Sequence, residues 1–113
     1  MKTTTTTFET GSTEAHTAAQ SGNLWKLKKI AEKDKSLLHK EDLNGWQPLH
    51  EGARAGHANV VEFLVQNGVD VNKRTNKGIG GTALYWAKRN NGDDHGVVKL
   101  LESLGAIDIG PEL

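Results

Sequence analysis

Five histidines are the residues in this chain best suited to chemistry, because a neutral imidazole ligates metals and moves protons near neutral pH. A metal site also needs partners at a recognisable spacing. His57 follows Gly56 and His95 follows Asp93 and Asp94, and neither has convergent ligands close by in the sequence. The Asp-Asp-His run could hold a cation but reads more simply as a solvated loop. No cysteine is present, which excludes disulfides, thiolate metal sites and a cysteine nucleophile. Gly78-Ile79-Gly80-Gly81 is glycine-rich, but it lacks the strand before and the Lys-Ser/Thr after that a phosphate cradle needs. A lengthened loop tip is the plainer reading. There is no Gly-x-Ser-x-Gly turn and no isolated carboxylate pair on an apolar face, so the chain is expected to be no enzyme and to hold no metal and no cofactor.

Binding chemistry is better represented. Trp46 falls among loop-forming residues, where an indole is costly to leave exposed, and Trp and Arg are enriched at interface hot spots. Lys26, Lys28, Lys29, Lys33 and Lys35 make a basic stretch that could favour an acidic partner. Glu32 and Asp34 interrupt it, and a solvated outer helix face is the stronger reading.

The scaffold that must position these groups is small. A chain of 113 residues makes one domain with a modest core. Its 14 Lys and Arg balance 14 Asp and Glu, so no global charge draws it to nucleic acid or an anionic membrane. No segment approaches the roughly 18 apolar residues of a membrane span, and the start lacks the apolar core of a secretory signal. The expectation is a soluble, intracellular, cytoplasmic monomer. Residues 1–12, with five threonines from Thr3 to Thr7, are expected as a disordered lead.

From Glu14 onward helical signals come in pairs: a short Ala-containing segment, then Gly or Asn, then apolar residues at helical spacing, as in Val60, Val61, Leu64 and Val65. The pairs repeat. His16, Ala19 and Gly22 stand 34 residues before His50, Ala53 and Gly56. Leu84-Tyr85-Trp86-Ala87 stands 35 residues after Leu49-His50-Glu51-Gly52, and the segment from Leu100 to Ala106 stands 37 after that from Phe63 to Val69. The drift implies insertions at 79–81 and around 92–94. Stripes built from Leu27, Ile30, Leu49, Ala53, Leu64, Leu84 and Leu101 are too broad for one helix pair to bury, so the units must stack.

The middle unit, running from Asp42 through Gly45, Pro48-Leu49-His50, Ala53, Gly56-His57, Val60-Val61, Phe63-Leu64-Val65 and Gly68 to Asp70-Val71-Asn72, closely resembles an ankyrin repeat. Gln47 replaces the family's usual Thr before the Pro, and Ala83 replaces the Pro of the third unit. The resemblance implies an all-α solenoid of stacked helix-turn-helix units joined by β-hairpin-like loops. It would fill residues 13–110, with repeats at about 13–41, 42–74 and 75–109 and a tail at 111–113. It further implies that His16 and His50 hydrogen-bond backbone near the hairpins; Trp25 is expected to help cap the first unit. The implied function is protein–protein interaction through a concave surface of hairpin tips and first helices. The tip positions are Asn44, Trp46, Lys77 and Ile79, and the helix positions are Glu51, Arg54, Trp86, Arg89 and Asn90. A non-catalytic regulatory or substrate-positioning appendage of a larger enzyme or signalling protein is the alternative. A self-associating element would use an exposed apolar end near Leu104, Ile107 and Ile109. Finally, Asp70-Val71-Asn72 after Leu64 resembles the ankyrin motif that an asparaginyl hydroxylase modifies, which makes Asn72 a hydroxylation candidate.

Overall fold

The computed structural model describes residues 10–112, and every regular element among them is helical. Six helices of eight residues or more form three pairs. These are α1 (Glu14–Ser21) with α2 (Leu24–Lys33), α3 (Pro48–Ala55) with α4 (Ala58–Gln66), and α5 (Ala83–Asn91) with α6 (Gly96–Ser103). Local chemistry sets the boundaries. Thr13 caps α1, its hydroxyl accepting from the His16 N–H while its own N–H donates to His16 Nδ1. Pro48 opens α3, where a missing N–H costs no intrahelical bond. The Asn23 side chain accepts from Lys26 N–H at the start of α2, and His95 Nδ1 accepts from Val97 N–H at the start of α6. Gly22 ends α1 with φ +75°, and a Cβ there would lie 2.9 Å from the His57 ring. A 3₁₀ turn at Lys35–His39, which the repeat comparison does not foresee, buries Leu38.

First helices pack in sequence, α1 on α3 and α3 on α5, while the second helices form a row behind them. Ala18, Gly52 and Ala87, which share one place in the three first helices, are buried. Small side chains at these positions let neighbouring first helices approach closely. The second layer supplies the bulk of the core, with Leu27, Val61, Leu64, Val98 and Leu101 all fully buried. At the ends of the stack the matched positions turn polar. Val60 is buried and Phe63 lines the seam with α2, but their counterparts 34 residues earlier are Lys26 and Lys29. At the other end Ala31 and Val65 pack on the core, whereas the matching Glu102 is exposed. An array of stacked repeats needs such polar outer faces.

Hydrogen bonds lace the units at both ends of their helices. At the loop end, His16 Nε2 donates to the Trp46 carbonyl and His50 Nε2 to the Lys73 carbonyl, both at 2.7 Å. Each ring's Nδ1 accepts an N–H from its own cap, which leaves Nε2 as the protonated nitrogen. The third unit has Tyr85 in this place, and the Thr82 hydroxyl takes over by donating to the Ile107 carbonyl at 2.6 Å. At the opposite end the bonds run backwards: His57 Nε2 donates to the Gln20 carbonyl at 3.0 Å, and Asn91 Nδ2 donates to the carbonyls of Ala53 and Arg54.

The connecting loops are closed like hairpins, with Asp42 N–H donating to the Trp46 carbonyl and Thr75 N–H to the Gly81 carbonyl. Adjacent tips meet where Asn76 N–H donates to the Asn44 carbonyl. Gly45 is required twice over, since its φ is +75° and a Cβ there would lie 2.7 Å from the Asn76 nitrogen. The extra residues of the third loop form a tight turn in which Asn76 and Lys77 are left-handed, at φ 51° and 57°. Past α6 the chain lies along this loop: Arg74 donates to the carbonyls of Gly80 and Gly110 and pairs with Glu112. Of the lead expected at 1–12, residues 1–9 lie outside the described residues, while Leu43 N–H holds the Thr10 carbonyl at 2.8 Å. Trp25 departs from expectation. It projects from α2 at 67% exposure, because it occupies the outward position held by exposed Asn59 and Gly96 in the other units.

Candidate functional site

Four of the expected binding residues come together where α3 meets α5. The Trp46 ring leaves its loop and lies half-buried against Trp86, with ring centres 5.0 Å apart and planes at 41°. Trp86 meets Tyr85 edge to face at 4.9 Å, and Trp46 meets His50 similarly at 5.7 Å. The Arg54 guanidinium sits 4.6 Å above the Trp46 ring and pairs with Glu51 at 2.9 Å. Helical spacing brings the ion pair together, since Glu51 and Arg54 are three residues apart on α3. Stacking and pairing together hold the guanidinium in one plane, a stronger constraint than either alone in water.

The buried side of the cluster is anchored by His50. Its ring is fully buried between the Gln47 N–H and the Lys73 carbonyl, and burial lowers its pKa to about 4. It is a neutral structural group. The indole Nε1 of Trp86 is also buried and has no hydrogen-bond partner among the described residues. Gly81 is packed against this ring, with its Cβ position 2.8 Å from Nε1.

The remaining expected residues ring the cluster without joining it. Asn44 and Lys77 are exposed at the two adjoining tips, and Ile79 is 48% exposed beside them. Arg89 reaches back to the Tyr85 hydroxyl at 3.4 Å. Asn90 is tied to the previous unit through the Arg54 carbonyl at 2.8 Å. Asn72 lies apart from the group, its amide accepting from Ile107 N–H and donating to the Gly105 carbonyl. Tyr85 and His50 were not expected at this site. The usable signal was Tyr85 itself, an aromatic standing at the register position of His16 and His50. Among the described residues no group of three or more His, Asp or Glu side chains is placed to hold a metal. No helix among them is long and apolar enough to cross a membrane.

Residues 6–111 match the family model for ankyrin repeats in three copies. The chain belongs to the ankyrin-repeat family. Ankyrin repeats are units of protein–protein interaction. Among curated relatives, 26S proteasome non-ATPase regulatory subunit 10 of Homo sapiens is 43% identical over 60 residues, 53% of this chain and 26% of that protein. The human NAD-capped RNA hydrolase NUDT12 is 35% identical over 81 residues, 69% of this chain and 17% of its own length. The ankyrin stack thus spans about a quarter or less of the curated relatives it matches. Among solved structures, a chain in the complex of the Bd0816 predatory endopeptidase from Bdellovibrio bacteriovorus with immunity protein Bd3460 has a TM-score of 0.76. It is 32% identical, covering 90% of this chain and 52% of that one. The human ASB11 ankyrin-repeat domain aligns with a TM-score of 0.73 at 28% identity, over 85% of this chain and 41% of that one.

Proposed function

We propose that this ankyrin stack is a protein-binding module whose contact surface is the first-helix and hairpin face centred on Trp46, Arg54 and Trp86. One observation carries the reading: two half-buried indoles at 5.0 Å with a guanidinium stacked on one of them. Trp and Arg side chains held in place lose little freedom on binding, which is why such groups dominate interface energetics. Asn44, Lys77, Arg89 and Asn90 surround them as a polar rim, with the exposed Ile79 among them. Asn72 is proposed to act in structure rather than as a hydroxylation site, since both ends of its amide are already bonded.

The test is a proteome pull-down comparing wild type with a Trp46→Ala, Arg54→Ala, Trp86→Ala variant, after circular dichroism shows equal folding. Partners lost with the variant support the assignment; an unchanged partner list sinks it. The likeness to NUDT12 favours a second reading, in which the stack is a non-catalytic appendage of an enzyme. That reading uses the same face but predicts that the captured protein is one whose activity the stack positions or regulates.

A further inference from the structure

The face described above does not account for the opposite, N-terminal end of the stack. Three adjoining depressions lie there. One is lined by Ala15, Ile30 and Leu37, the next shares Ile30 and Leu37 and is rimmed by Lys26, Lys29 and Lys33, and the third runs past Thr17 to Asn23. Shared residues, Glu14 above all, make them one trench, apolar where Ile30 and Leu37 line it and polar towards Asn23. Beside it stands Trp25, 67% exposed, with Lys29 Nζ 5.6 Å from the ring centre.

Capping the stack explains why this end is polar. It explains neither why lysines outnumber carboxylates here nor why an indole is present. The segment 24–40 carries six lysines against Glu32 and Asp34, in a chain whose formal net charge is +0. Lys26 and Lys29 have partners in Glu14 and Glu32 at 3.6 and 3.7 Å, both exposed pairs of small worth, and among the described residues no ion pair involves Lys33. An exposed indole beside an apolar trench loses unfavourable hydration only when something covers it.

We infer that this trench is a second docking site and takes an acidic polypeptide segment, apolar side chains on Ile30 and Leu37 and carboxylates against Lys29 and Lys33, with Trp25 closing over it. The alternatives fit less well. A nucleic-acid backbone is continuously anionic and would meet Glu14 and Glu32 along the same rim. A membrane surface is broad and flat and leaves the trench floor unfilled.

The test uses the full chain, immobilised, with a randomised pool of short peptides in which Asp or Glu alternates with apolar residues. Variants Trp25→Ala and Lys29→Glu/Lys33→Glu serve as comparators. All three side chains are exposed, so equal thermal melting is expected of wild type and variants. Retention of acidic peptides by wild type should fall roughly tenfold in the charge-reversed variant and weaken in added salt. In nitrogen–proton spectra the Trp25 indole signal should move on peptide addition while those of Trp46 and Trp86 stay. No enrichment of acidic peptides, or enrichment equal in all three proteins, overturns the inference. It is also overturned if peptides shift Trp46 or Trp86 instead, which would assign them to the face proposed above. Phosphatidylserine vesicles or single-stranded DNA binding through Lys29 and Lys33 while peptides do not, or self-association lost in Trp25→Ala, would each replace the polypeptide with another occupant.

Discussion

Lowering the pH should destabilise this protein through His50. The ring's pKa falls from 6.5 to about 4 because burial penalises the charged form, and a proton on Nδ1 would face the Gln47 N–H it now accepts. The unfolded chain therefore takes up this proton at higher pH than the folded one. Stability is fully present above pH 6.5 and drains away as the pH falls towards 4. At ~1.4 kcal/mol per unit, the whole gap is worth about 3 kcal/mol, of which about 2 kcal/mol is lost between pH 7 and pH 5. That corresponds to a fall in Tm of roughly 8–16 °C for a domain of this size. Urea titrations at both pH values, on wild type and on His50→Gln, isolate the contribution, since glutamine can donate to the Lys73 carbonyl but does not titrate. The pH-dependent loss should be larger in wild type by about 2 kcal/mol. A ring that titrates near pH 6.5 in nitrogen spectra of the folded protein would refute the argument, whatever the variant does.

Two further predictions concern the scaffold. Leu64→Ala leaves a cavity under the last turn of α4, where Leu64 is fully buried, and should cost about 2–5 kcal/mol by urea denaturation. Gly45→Ala puts a methyl group 2.7 Å from the Asn76 nitrogen at a left-handed position, and should cost ~1–3 kcal/mol and speed amide exchange at Asn76.

The paired helices were legible because the repeat superimposes the same cap, glycine and apolar stripe in each unit. The histidine bonds followed from the ankyrin resemblance. Contacts made by side chains from different units were less legible. Nothing in the spacing of Trp46 and Trp86 shows that their rings meet, since that distance depends on the loop path and on how closely α3 and α5 pack. The left-handed pair Asn76–Lys77 was hidden for a related reason: two non-glycine residues take that conformation only because Thr75 and Gly81 close the loop around them. Trp25 was misassigned because an indole on a terminal unit suggests cover for the core, whereas its helical phase points it outward.

The opposed lacing of the units has a mechanical consequence. Two stacked plates joined along one edge can hinge open about it; joined along both edges they cannot. Here the histidines pin the loop edge and His57 and Asn91 pin the other, so spreading at either edge breaks hydrogen bonds. The angle between successive units, and with it the bend of the face bearing Trp46 and Trp86, is therefore fixed before any partner arrives. Such a surface works as a rigid gauge: it rewards a partner already shaped to its curvature and does not bend to meet one that is not.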